Sequence, residues 1–146
     1  MSPRPVLVLG WAGALPFVVL TLAAIAGRGS VQTDALAALA AYGGVILSFM
    51  GGVQWGLQMG MAPEGGRIGY AMSVLPALAG FAAVLLPPRG GLPLLGAGFL
   101  ALLAYDLRRS RDGVGPAWYP ALRKPLTAAV VASLMLALAF APPAAG

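Results

Sequence analysis

The chain alternates long apolar runs with short polar breaks, and the runs have the length of membrane spans. Hydrophobic stretches cover approximately 6–26, 34–61, 68–86, 92–107 and 121–141, and charged residues gather in the breaks. A helix needs about 20 residues to cross the hydrocarbon, with a range of roughly 17–25. The first, third and fifth runs fit that length directly. The second is longer and must tilt or begin outside the hydrocarbon, while the fourth is short and borrows from Gly90-Gly91. The pattern predicts an all-α polytopic integral membrane protein. Its five transmembrane helices form one compact bundle, a single domain over residues 1–146, with the second helix near the centre.

The breaks carry their own signals. Thr33 and Asp34 are expected to cap the second helix, with the carboxylate near its positive dipole end. Pro63 and Gly65-Gly66 are expected to end it. Pro87-Pro88-Arg89-Gly90-Gly91 reads as a turn that folds the third and fourth spans into an antiparallel hairpin, with Pro93 in the first turn of the fourth. At the N-terminus, Arg4, the apolar run and Ala24-Ile25-Ala26 imitate a secretory signal with its cleavage site. The run exceeds the usual signal core of roughly 7–15 residues and contains Trp11 and Pro16, which favours a retained span.

Composition sharpens this picture. Hydrophobic residues make up 60% of the chain and charged ones 9%, against about a quarter charged in a soluble domain. Cysteine and histidine are absent, which excludes disulfides, the common zinc sites, iron–sulfur clusters and histidine-ligated haem or copper. The usual general base of hydrolases goes with them. Since no nucleophile–base pair or metal-ligand set is visible, neither enzymatic activity nor a cofactor is expected.

The formal net charge of +5 has to be read by position. With five spans, Arg4, Arg67, Arg108, Arg109, Arg111, Arg123 and Lys124 fall on one side, and Arg28 and Arg89 on the other. The positive-inside rule then places the N-terminus in the cytoplasm and the C-terminus outside, in the periplasm if the membrane is a bacterial inner one. Trp118, Tyr119, Arg123 and Lys124 read as interface anchors at the entry to the fifth span, not as a nucleic-acid site.

Three groups of residues invite more than a topological reading. Gly44, Ser48, Gly52, Gly56 and Gly60 recur every fourth residue, as Ala129, Ser133 and Ala137 do in the fifth span. Such ladders of small side chains read as glycine-zipper packing surfaces, within the chain or between copies. Gln54 and Gln58 lie on roughly the opposite side of the second helix, where a buried amide needs partners; Tyr42, Ser48, Tyr70, Ser73 and Thr127 are candidates. Pro16 and Pro76 interrupt the first and third spans and free the carbonyls of Ala12 and Met72. These could join Gln54, Gln58 and Ser73 in a polar intramembrane site. Asp106, at the end of the fourth span, is expected to form an interfacial ion pair with Arg109 or Arg123.

Several of these blocks occur together in a known family. Leu9-Gly10-Trp11-Ala12-Gly13-Ala14-Leu15-Pro16-Phe17, the run from Tyr42 to Gly56, Ser73-Val74-Leu75-Pro76, and Pro116-Ala117-Trp118-Tyr119 through Leu122-Arg123 to Leu126-Thr127 resemble the uncharacterised multi-span membrane-protein family that includes transmembrane protein 69. The resemblance implies a short protein of bacterial inner membranes or mitochondria with no assigned activity. It also implies histidine in many relatives where this chain has Gln54, which keeps a hydrogen-bonding group and abandons titration and metal ligation. The functional expectation is a non-catalytic accessory or assembly subunit that packs against another membrane complex, a respiratory one among the candidates. The alternative is a small transporter or oligomeric pore built around Gln54 and Gln58. The expected partners are the lipid bilayer and a membrane protein or further copies of the chain.

Overall fold

The computed structural model describes residues 4–60 and 66–141. They form α1 (Arg4–Ala26), α2 (Ser30–Met59), α3 (Gly66–Leu85), α4 (Pro88–Arg111) and α5 (Tyr119–Phe140). All five are long and apolar enough to cross a membrane. The expected stop of α2 at Pro63 and Gly65 lies outside the described residues.

Every helix begins before its hydrophobic run, α2 and α4 by a full turn. α2 starts at Ser30 behind Gly29, whose φ of 58° is open to glycine. Thr33 and Asp34 therefore lie inside the helix instead of capping it, and the Thr33 hydroxyl donates back to the Gly29 carbonyl at 3.2 Å. α4 starts at Pro88 and continues to Arg111, well past the apolar segment at both ends. Proline at the first helical position sacrifices an N–H that has no partner there. Arg108, Arg109 and Arg111 occupy the last turn, where the helix dipole favours cations. Pro93 consequently sits inside the helix, beyond its first turn.

The helices close into a ring. Each packs on its neighbour in sequence, α5 returns to α1, and α2 also touches α4 across the middle. Consecutive helices run antiparallel, so α2 and α4 run parallel. Their contacts keep a constant register: Gly43 meets Leu95, Leu47 meets Gly98, Gln54 meets Asp106 and Gln58 meets Arg109. The core between them holds Phe17, Leu39, Leu47, Leu92, Leu95, Phe99 and Leu134, all fully buried. Phe17 anchors it, with edge-to-face rings of Tyr42 at 5.0 Å and Phe99 at 6.0 Å. The Tyr42 hydroxyl donates to the Gly13 carbonyl at 2.9 Å, tying α2 to α1 beside the Pro16 interruption. Tyr42→Phe should therefore destabilise the bundle by about 1 kcal/mol in a detergent unfolding titration; an unchanged midpoint would show that this bond contributes nothing.

Lipid chains are as apolar as leucine, so helix association in a membrane depends on close packing and hydrogen bonds. α2 and α3 approach each other closely. A Cβ added to Gly80 would lie 2.7 Å from the Gly44 carbonyl oxygen, and one added to Gly51 would lie 2.5 Å from the Ser73 carbonyl oxygen. Gly44 to Gly51 and Gly80 to Ser73 are both two-turn steps in opposite directions, which defines an antiparallel seam. The outer surface is the lipid side: Ile68, Leu9, Leu85 and Val8 are among its most exposed residues.

The four-residue ladder on α2 does not pack as one groove within the chain. Gly44 is buried, Ser48 half-buried, and Gly52, Gly56 and Gly60 exposed. Each four-residue step overshoots the 3.6-residue turn by about 40°, so the ladder rotates about 160° between Gly44 and Gly60. The stripe that stays buried is Gly44, Leu47, Gly51, Gln54 and Gln58, whose alternating steps of three and four follow the helix. The ladder on α5 fares differently because it faces α1 and α4. Ser133 and Ala137 are buried, Ala129 is half-buried, and the Thr21 hydroxyl donates to the Ser133 carbonyl at 3.0 Å.

Candidate functional site

Three buried stripes converge at one end of the ring and carry polar residues there. On α4 the stripe Leu95, Phe99, Leu102 ends in Asp106; on α5 the stripe Leu134, Val130, Thr127 ends in Arg123. On α2 the stripe ends in Gln54 and Gln58. In each case the apolar periodicity simply continues, and the last one or two positions are polar. The packing that buries the leucines therefore buries the polar groups as well.

Asp106 is the centre of the site, and only 3% of its surface is exposed. Its Oδ2 accepts from Arg123 Nε at 2.7 Å, an ion pair between α4 and α5. Oδ1 accepts from the Gln54 side-chain amide of α2. The Tyr119 hydroxyl, at the start of α5, makes a longer contact with Oδ2 at 3.4 Å. One turn further along, Arg109 donates to Gln58 Oε1 at 2.7 Å and to the Tyr105 hydroxyl at 3.2 Å. Its guanidinium also lies 5.7 Å from the centre of the Tyr105 ring, within cation–π range. The two layers join α2, α4 and α5 through charge-assisted hydrogen bonds, roughly twice as strong as neutral ones.

This arrangement corrects several expectations. Gln54 and Gln58 are buried and need partners, as expected, but the partners are Asp106 and Arg109, not the hydroxyl groups of Tyr42, Ser48, Tyr70, Ser73 or Thr127. Of the two cations expected for Asp106 the partner is Arg123, across helices; Arg109, one turn away on its own helix, turns to Gln58. The ion pair lies inside the bundle, and Arg123 is buried between the helices. Trp118 and Tyr119 are half-buried and stack edge to face at 6.2 Å, and Lys124 is exposed.

The prolines do not join the glutamines. Pro76 packs its ring against Gly51, within 3.2 Å of where a Cβ would sit. Ser73 donates to the Tyr70 carbonyl of its own helix at 2.6 Å. Pro16 lies beside Tyr42, and Tyr42 is twelve residues, about 18 Å, along α2 from Gln54.

A ring of five apolar helices, locked at one end by a buried polar network, defines a small polytopic membrane protein. The chain belongs to the family described as "Protein of unknown function (DUF3429)", whose model matches residues 2–139. It is similar to Transmembrane protein 69 of Xenopus tropicalis, with 35% identity over 143 residues covering 92% of this chain and 53% of that protein. The chain thus spans about half the length of that curated relative. No solved structure matches it.

Proposed function

We propose that this protein is a non-catalytic accessory or assembly subunit, sitting in a bacterial inner membrane with its N-terminus in the cytoplasm. The observation that carries the reading is the outward face of α2. Gly52 and Gly56 are exposed, and a Cβ on either would meet nothing within 4 Å. Glycine in a helix interior costs roughly 1 kcal/mol relative to alanine. A lipid-facing position gains nothing in return, whereas a second helix can approach closely over a surface without side chains. The orientation is supported by charge, since the end that holds the Asp106 network also holds most of the basic residues.

The rival reading, a transporter or pore around Gln54 and Gln58, draws less support from the geometry. The Gln54 N–H is held by Asp106 and the Gln58 oxygen by Arg109, and a network that joins three helices resists the rearrangement that transport requires.

The test is a gentle-detergent capture of the tagged protein from its own membranes, with native mass determination. A stoichiometric foreign membrane complex is expected, and Gly52→Leu or Gly56→Leu should abolish it while leaving the unfolding midpoint unchanged. A homogeneous oligomer or monomer free of other proteins, with both variants behaving as wild type, would overturn the reading.

A further inference from the structure

The polar network leaves several buried hydrogen-bonding groups unused, among them the Gln54 Oε1 and two that lie together on α5. Arg123 spends Nε on Asp106, yet its Nη2 is buried with no partner, and so is the Thr127 hydroxyl. Thr127 is the more telling of the two. Ser48, Ser133 and Thr33 each donate to the carbonyl four residues back in the same helix. Thr127, 1% exposed, makes no such bond. Burying an unpaired hydroxyl or guanidinium N–H costs on the order of 1–3 kcal/mol, so such groups mark places where something outside the chain completes the bonding.

Both residues line one cavity. It has a volume of about 140 Å³ and lies between α1, α2 and α5, with Phe99 of α4 at its back. Arg123 and Thr127 are four residues apart on α5 and so share a helix face; they are its charged and hydroxyl lining, among otherwise apolar walls that include Gly13, Phe17 and Val130. Leu9 and Phe49 also line it and are largely exposed, so the mouth opens on the lipid-facing side. A dry apolar cavity of roughly 150 Å³ holds one benzene ring. The space is therefore the size of a single six-membered ring.

We propose that this cavity binds a lipid-soluble ring compound through a ring carbonyl, the chemistry of a quinone head. The ring fills the apolar space, and the carbonyl oxygen, with two lone pairs, accepts from Arg123 Nη2 and from the Thr127 hydroxyl. The positive charge of Arg123 is already balanced by Asp106, which suits a neutral acceptor better than a second carboxylate. Any apolar tail leaves past Leu9 and Phe49 into the membrane.

The experiment is a binding titration of the full chain in nanodiscs, read by tryptophan quenching and by thermal shift, with a short-chain benzoquinone and with oleic acid as separate probes. Saturable one-to-one binding of the benzoquinone is expected. Thr127→Val removes one hydrogen bond at nearly constant volume and should weaken it by roughly three- to tenfold. Gly13→Leu should abolish it, because a Cβ at Gly13 meets nothing within 4 Å and the new side chain can enter the cavity without a clash. The unfolding midpoint of each ligand-free variant serves as the folding control. Saturable binding of oleic acid without the quinone would overturn the ring assignment. Quinone binding that survives Gly13→Leu unchanged, or no saturable binding of either probe to the wild type, would overturn the site.

Discussion

Arg123→Leu should cost the bundle about 3–5 kcal/mol, the penalty for leaving a buried carboxylate without its ion-pair partner. Asp106 is 3% exposed, and Arg123 supplies its cationic contact at 2.7 Å. Removing the arginine leaves Gln54 and Tyr119 to satisfy a charge that lipid and apolar side chains cannot solvate. The loss should appear as an early unfolding midpoint in a mixed-micelle titration. Asp106→Leu combined with Arg123→Leu should recover most of it, because a paired charge replaced by apolar side chains of similar volume is often neutral or better. The cycle separates the cost of an orphaned charge from the worth of the pair. An Arg123→Leu midpoint within about 0.5 kcal/mol of wild type would mean that the network does not hold the three helices together.

Gly80→Leu and Gly51→Leu form the second large effect, and Gly52→Leu is their control. At Gly80 and Gly51 an added Cβ runs into the backbone of the facing helix, at 2.7 Å from the Gly44 carbonyl oxygen and 2.5 Å from the Ser73 carbonyl oxygen. Backbone cannot move aside as a side chain does, so α2 and α3 must separate. Overpacking a well-packed core costs roughly 1–3 kcal/mol and sometimes more. Here the upper end is expected, because in lipid there is no hydrophobic drive to restore contact at a wider spacing. Gly52 lies one position further around the same helix with nothing within 4 Å, so Gly52→Leu should leave the unfolding midpoint within about 0.5 kcal/mol of wild type. Equal losses at Gly51 and Gly52 would contradict the α2–α3 seam described above.

The contrast between Gly51 and Gly52 also marks where reading the chain succeeds and where it fails. That α2 carries close-packing glycines is legible, because glycines at helical spacing in an apolar run have few other uses. Which of them pack is not legible from the four-residue ladder, since that ladder winds away from any fixed neighbour. The signal that follows the packed face was present in the stripe Gly44, Leu47, Gly51, Gln54, Gln58, with its three-and-four alternation. The stripes ending in Asp106 and Arg123 follow the same alternation. Asp106 could have been recognised as buried on that ground, and Arg109, three positions on, continues the same stripe toward Gln58.

Pairing is a different matter. Asp106 has Arg109 close by in sequence and Arg123 seventeen residues away, and local spacing favours the former. Only the closure of the ring decides for Arg123. α4 and α5 run antiparallel, and α2 lies parallel to α4 at a constant register, so Gln54 and Arg123 reach the two oxygens of one carboxylate from opposite sides. The same closure sets Arg123 and Thr127 against a cavity whose other walls come from α1, α2, α4 and neighbouring residues of α5.

By itself, the sequence determined that five apolar helices cross a membrane, because length and hydropathy act on each segment separately and hydrocarbon leaves the backbone no alternative to a helix. The tertiary structure alone decided which glycines meet a backbone, which arginine meets Asp106 and which hydroxyl is left without a partner. Those outcomes depend on the rotation and register of one helix against another, and in lipid these are set by contacts between helices, not by the hydropathy of either one.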